Sequence, residues 1–183
     1  MRYTVDGLFR LLEEKGGAAY GGERVTQLAH ALQSAELAVE AGDPDSLVIA
    51  ALMHDIGHLV GKGDEGLAAK GIDARHEASG ALVLEQVFGK AVAEPVRLHV
   101  DAKRYLCFAE AGYWEALSQG SKTSLQVQGG PFTAAEADSF IKCPHAAEAV
   151  TLRRYDDLAK IIGKKTPDLA AFRDRARRLQ AHA

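Results

Sequence analysis

Cysteine is scarce in this chain: Cys107 and Cys143 are the whole supply. They form no CxxC pair, so a disulfide framework is not indicated, and each reads as a bland buried thiol rather than a reactive one. Long hydrophobic runs are missing as well. The longest apolar stretch, Leu47 to Met53, is far too short to span a bilayer, which argues against a membrane partner. Positive charge is not in excess either. A formal net charge of -3 argues against a nucleic-acid binder that relies on a large positive field. The basic cluster Arg173 to Arg178 reads as the solvated face of a last helix, where cations suit the helix dipole, rather than as an anion patch. The amino terminus is charged from Arg2 onward, and Glu13-Glu14-Lys15 ends any hydrophobic region early. No secretory signal is therefore expected, and the cytoplasm is the expected location. Alternating segments, repeats, low-complexity tracts and domain linkers are not apparent.

What remains is an ordinary globular composition, 47% apolar and 26% charged over 183 residues, most simply one domain spanning 1-183. The pattern predicts an all-α fold. Val5, Leu8, Leu11 and Leu12 give a first amphipathic helix stopped by Gly16-Gly17, and a second runs from Thr26 to Ala41. Asp43 followed by Pro44 is a start signal for a third helix, Leu47 to about Ile56, apolar all round and hence central. A glycine-rich loop, Gly61 to Gly71, leads to a fourth helix over about Asp73 to Phe88. A fifth begins near Val92 with Pro95 in its first turn, where proline is tolerated. Thr133 to Glu136 matches a capping box, Pro144 opens a long helix bearing Arg153 to Lys160, and Thr166-Pro167 opens the last.

The chemistry is concentrated in Met53-His54-Asp55-Ile56-Gly57-His58. On a helix, His54 and Asp55 leave about 100° apart, so they straddle a bundle interior rather than share one face. His30 on the second helix, His76 on the fourth and His99 on the fifth supply further nitrogens, and Asp156 and Asp157 offer late carboxylates. Imidazole with carboxylate suits iron, manganese or zinc, and facing helices commonly build such sites. Any one helical histidine is more often structural; four of the seven histidines grouped around an HD pair reverse that reading. His145 and His182 are assigned no function.

These residues resemble the HD-domain metalloproteins, known mainly for phosphohydrolases, many of which hold one metal. Five segments narrow the resemblance: Tyr20 to Glu23, Met53 to His58, Leu98 to Leu106, Ser124 to Pro131 and Leu152 to Asp157. Together, over about residues 20 to 160, they look like the HD-domain diiron oxygenases that cleave organophosphonates, the PhnZ type. Myo-inositol oxygenase is similar more distantly, through the ligand set alone. The resemblance implies an HD-domain helical bundle with two irons, Fe(II)/Fe(III), in its core. One would be held by His30, His54, Asp55 and a late aspartate, the other by bridging Asp55, His76 and His99. Asp156 is preferred to Asp157 because Lys160 then lies four residues on, as in the related pattern.

Lys103 stands one helical turn from His99, where it can pair with a phosphonate oxygen; the alternative is a solvated surface lysine. His58, four residues after His54, can donate to the phosphonate or to bound oxygen, or merely cap its helix. In the resembled enzymes the tyrosine matching Tyr20 can occupy an iron site before substrate arrives, and the glutamate matching Glu23 lies near the substrate's amino end. Glycines flank both in a loop over 16-24, a candidate lid. Tyr20, His58 and Lys103 are thus the candidate catalytic groups. Ser121, Ser124, Gln126 and Gln128 are candidate hydrogen-bond donors. Arg153 or Arg154 adds charge there or forms surface ion pairs.

The implied reaction is O2-dependent cleavage of the C–P bond of a 1-hydroxy-2-aminoethylphosphonate-type substrate, giving phosphate and a carboxylate such as glycine. The competing readings are a metal-dependent phosphohydrolase, for which manganese or zinc would serve, and a non-catalytic HD sensor, which would show an incomplete ligand set. The sequence leaves amino against trimethylammonium substrate, and oligomeric state, open.

Overall fold

A computed structural model describes residues 3-19, 24-60 and 70-180, and their architecture is all-α. Helix α1, Val5–Lys15, is capped by Thr4, whose hydroxyl accepts from the Gly7 amide at 3.1 Å, and it buries Val5, Leu8, Phe9 and Leu12. α1 meets α2 closely at Gly16, where an added Cβ would lie 2.3 Å from the Leu12 carbonyl oxygen and 2.9 Å from Leu28 Cβ. α2, Gln27–Glu40, is capped by Thr26. α3, Asp45–Met53, is buried from Leu47 onward and forms the middle of the main core, as its uninterrupted apolar run requires.

α4, His76–Phe88, and α5, Lys90–Ala109, form an antiparallel pair joined through Gly89. α5 is the organising helix: it packs on α3, α4, α8 and α9. After it come α6, Tyr113–Ala116, α7, Gln119–Val127, and α8, Ala134–Ile141, which close two smaller apolar clusters around Leu98, Ala102 and Leu106 of α5. α9, Ala146–Leu158, lies across α2 and α5. A 3-10 turn, Leu169–Phe172, leads into α10, Arg173–Arg178, whose Arg173 pairs with Asp6 of α1 and Arg175 and Arg178 with Asp45 of α3.

Several sequence expectations shift. Asp43 does not cap α3; Pro44 occupies the cap position without a side-chain bond, and Asp43 accepts instead from Tyr155 Oη of α9 at 2.5 Å. α3 ends at Met53, short of Ile56. α4 starts at His76 rather than Asp73, because Asp73 accepts from the Arg75 amide and holds a turn before it. α5 begins two residues early, so Pro95 falls in the second turn. α9 starts after His145, which takes a left-handed conformation at φ 65°. Thr166-Pro167 precedes the 3-10 turn, not a full helix, and α7 was not foreseen. The Thr133 capping box is formed as expected. Among the described residues the nearest approach to a sheet is one isolated bridge between Ala19 and Thr26, and no helix is long and apolar enough to cross a membrane.

Candidate metal centre

The HD pair sits where α3 breaks. His54 Nδ1 donates to the Ala51 carbonyl at 2.8 Å, taking the acceptor that the next helical turn would have used. Asp55 then leaves the helix at φ -100°, ψ 12°, and Ile56–His58 form a 3-10 turn. The two side chains therefore converge through a helix end, not across a continuous helix running on to Ile56. Gly57 makes the break fit: a Cβ there would lie 2.0 Å from the His76 carbonyl oxygen and 2.7 Å from Ser79 Oγ. Without one, the turn lies directly on the start of α4 and brings Asp55 to His76. His58, also on the turn, stacks its ring on His76 with centroids 4.0 Å apart. It therefore does not stand one regular α-turn from His54.

Among the described residues two groups of possible ligands result, His30 with His54 and Asp55, and Asp55 with His76 and His99. Asp55 belongs to both. Its Oδ2 is 3.4 Å from His54 Nε2 and its Oδ1 is 3.3 Å from His76 Nε2. The facing Nε2 atoms are 3.1 Å apart in His30 and His54, and 3.2 Å apart in His76 and His99. Asp156 Oδ1 approaches the first group, 3.4 Å from His30 Nε2. Asp157 goes elsewhere: it pairs with Arg153 and accepts from Tyr113 Oη.

The donor chemistry fits metal ions. Three rings donate Nδ1–H to backbone carbonyls: His30 to Ala159 at 2.8 Å, His54 to Ala51 at 2.8 Å, His99 to Val96 at 2.6 Å. A carbonyl can only accept, so Nδ1 carries the proton and a neutral ring presents a lone pair at Nε2. Nε2 atoms facing at such distances share a cation, which is a proton when no metal is bound and a metal ion when one is. Ring nitrogens sharing one ion at about 2.1 Å each, at right angles, would lie about 3 Å apart, close to what is seen. Asp55 Oδ2 is buried with no hydrogen-bond partner among the described residues, and a cation would satisfy it. The electrostatics identify the proton that a metal ion would displace. Burial opposes charge on His54, but Asp55 and Asp156 outweigh it and raise the imidazole to about 9. Burial likewise opposes ionisation of Asp55, yet His54 and His76 hold the carboxyl well below the usual range. For Asp156 the counterweights to burial are Arg153, Lys160 and His30. Burial and then the rings of His76 and His54 push His99 far down, so it stays neutral. Such groups bind metal with release of protons.

Beside the histidines lies a cluster of cationic side chains. Lys103 is 2% exposed, not a surface lysine; its Nζ donates to Ser124 Oγ at 2.8 Å and Gln128 Oε1 at 2.5 Å. Burial, with Arg153 adding to it, lowers this ammonium to about 7 despite Asp156 and Asp157. Arg153, also buried, pairs with Asp156 through Nη1 at 2.7 Å and donates from Nη2 to Ser121 Oγ at 3.2 Å. Arg154 faces outward to Glu110. Lys160 completes the group, 3.2 Å from Ser121 Oγ. Gln126, by contrast, is exposed on α7, away from Lys103. Tyr20 and Glu23, with Gly21 and Gly22 between them, lie outside the described residues, as does His182.

Sequence reasoning passed over Gln33, Tyr113 and Glu77 and used Lys160 only as a spacing marker. Tyr113 Oη accepts from Arg153 Nε at 3.2 Å. Glu77 brings a carboxylate oxygen to 3.6 Å from His76 Nδ1. A glutamate directly after a candidate ligand histidine was a readable signal; Tyr113 lies 40 residues from its partner and offered none.

Comparison with known proteins identifies the family. The HD-domain family pattern matches residues 24-127. A hydroxymethylphosphonate dioxygenase of Gimesia maris is 47% identical over 169 residues, covering 92% of this chain and 84% of that protein. A [1-hydroxy-2-(trimethylamino)ethyl]phosphonate dioxygenase (glycine-betaine-forming) of Leisingera caerulea is 37% identical over 175 residues, 96% of this chain and 88% of that one. An uncharacterized protein of Acanthamoeba polyphaga mimivirus is 33% identical over 173 residues, 93% and 79% of the respective chains.

Proposed function

The chain belongs to the HD-domain family, and from that premise we propose that it is an O2-dependent oxygenase that cleaves the C–P bond of a small 1-hydroxyphosphonate. The observation that carries this reading is the juxtaposition of two histidine groups sharing Asp55 with the cationic cluster of buried Lys103 and Arg153 and half-buried Lys160. His30, His54, Asp55 and Asp156 would hold one iron, and Asp55, His76 and His99 the other. When bound, the iron pair supplies the redox chemistry with O2 that the side chains lack.

The chain's own part is binding and orientation. Lys103, Arg153 and Lys160 converge on hydroxyls of Ser121 and Ser124, a set of donors matched to a tetrahedral anion. The phosphonate would displace these internal bonds and place its hydroxyl-bearing carbon toward the histidines. His58, stacked on His76 and 3.8 Å from Asp55, is placed to donate to a substrate oxygen. Burial keeps water from this region and strengthens each charged contact. The reaction takes in one O2 and gives phosphate, a carboxylate and a proton, with the C–P bond broken and the carbon oxidised. A 1-hydroxy-2-aminoethylphosphonate would yield glycine; the Gimesia relative's name points to hydroxymethylphosphonate as a second substrate to try.

The test is phosphate release from both compounds by anaerobically iron-loaded protein, with O2 uptake followed in parallel. One phosphate per O2 is expected. Phosphate without O2 uptake, from these compounds or from phosphate esters with manganese, would replace the proposal with hydrolysis.

A further inference from the structure

We infer that Gln33 is a positioning residue that straps the segment after α9 to α2 and so keeps His30 aimed at its metal; this rests on reading His30 as a ligand. Gln33 is 1% exposed and three residues, about one turn, from His30. Its amide reads both polar groups of one residue: Nε2 donates to the Ile161 carbonyl at 3.0 Å, and Oε1 accepts from the Ile161 amide at 3.0 Å. Two residues earlier, the Ala159 carbonyl accepts from His30 Nδ1 at 2.8 Å. Between them, Lys160 reaches Ser121 Oγ and approaches Asp156 to 3.6 Å.

The segment has little apolar burial to hold it in place. Leu158, Ile161 and Ile162 are 61%, 56% and 59% exposed, although Ala159 is buried. Its register on α2 is therefore set largely by polar bonds, and a bidentate amide fixes register better than a single contact. If Ile161 shifts, the Ala159 carbonyl moves off His30 Nδ1. The ring then loses both its orientation and the proton placement that turns Nε2 toward a metal. One glutamine thus couples a histidine on α2 to Lys160 of the cationic cluster.

The test uses zinc as probe on the metal-free full chain, so it needs no C–P cleavage and stands apart from the proposed reaction. Gln33→Met keeps the volume and removes both bonds. It should weaken one of the two zinc sites about 10- to 100-fold and leave the other unchanged. Ala38→Gly, which loosens the same helix away from the strap, serves as control and should lower Tm without changing zinc affinity. Equal affinity at both sites in Gln33→Met, or the same loss in both variants, would overturn the inference. Hydrogen exchange on the unsubstituted protein gives a check that needs no variant. The Ile161 amide should be protected despite its exposed side chain, and free exchange would also overturn it.

Discussion

On the histidine side of the site the rings are aimed by the backbone, His30 by Ala159, His54 by Ala51 and His99 by Val96. On the cation side Lys103, Arg153 and Lys160 are aimed by other side chains, among them Ser121, Ser124, Gln128, Tyr113 and Asp157. A backbone carbonyl survives any substitution that leaves the helix intact, so the histidine side should fail only through its own ligands or a backbone shift. Partners on the cation side can be altered one at a time, so its losses should be graded and visible mainly in substrate affinity.

The largest effect should follow loss of Asp55, the one carboxylate common to both groups. Asp55→Ala should bind neither ion, and activity should fall by more than about 100-fold, since even partners outside the ligand set are worth about 10- to 100-fold. Metal analysis after loading decides it; two retained ions would remove Asp55 as a bridge. A backbone shift is the second way to break the histidine side. Gly57→Ala must move the His76 carbonyl, only 2.0 Å from the new Cβ, and such overpacking costs about 1–3 kcal/mol. The expected result is a lowered Tm together with weaker binding at the Asp55–His76–His99 group. Unchanged binding would mean that the 3-10 turn yields without disturbing His76.

Much of the histidine side was legible because its signal lies in residue type and coarse spacing. His30, His76 and His99 were each assigned to the correct helix, His54-Asp55 were placed on the third helix but lie just past its end, and Asp156 rather than Asp157 approaches His30. What sequence could not give was the break at His54, which depends on a ring competing for a carbonyl, and the role of Gly57, set by contact with α4. The cation side was less legible. Lys103 could equally have been a surface lysine, and Arg153 and Arg154 were indistinguishable until α9 had a defined rotation. Gln33 and Ile161 are 128 residues apart, and no local pattern announces that pair. Asp43 misled because a strong capping residue was claimed by a more distant partner, Tyr155.

The cation side can be sharpened by pH. Burial, with Arg153 nearby, brings Lys103 to about 7, so the free protein holds a charged ammonium below that value and loses it above. A phosphonate is attracted to the charged form. The kcat/KM should therefore be highest below about pH 7 and fall as pH rises through it, approaching tenfold per unit where this group alone controls binding. Lys103→Gln should flatten that limb. If the limb persists in the variant, another group is responsible and Lys103 leaves the substrate site.

The smallest effect belongs to the neighbour of a buried arginine. Arg153 and Arg154 carry the same chemistry one position apart, but helical rotation sends one inward and the other to Glu110. Arg154 and Glu110 are 49% and 46% exposed, so their 2.6 Å contact is solvated and screened and is worth about 0–1 kcal/mol. Arg154→Ala should change Tm little and leave metal binding, KM and the pH profile untouched. A raised KM would show that Arg154 influences the pocket across the helix, and the division of labour drawn from their rotation would fail. An unchanged KM, beside a raised one in Arg153→Lys, would place the substrate charge on the inward residue, because a lysine cannot span Asp156, Asp157 and Ser121 with a planar fork.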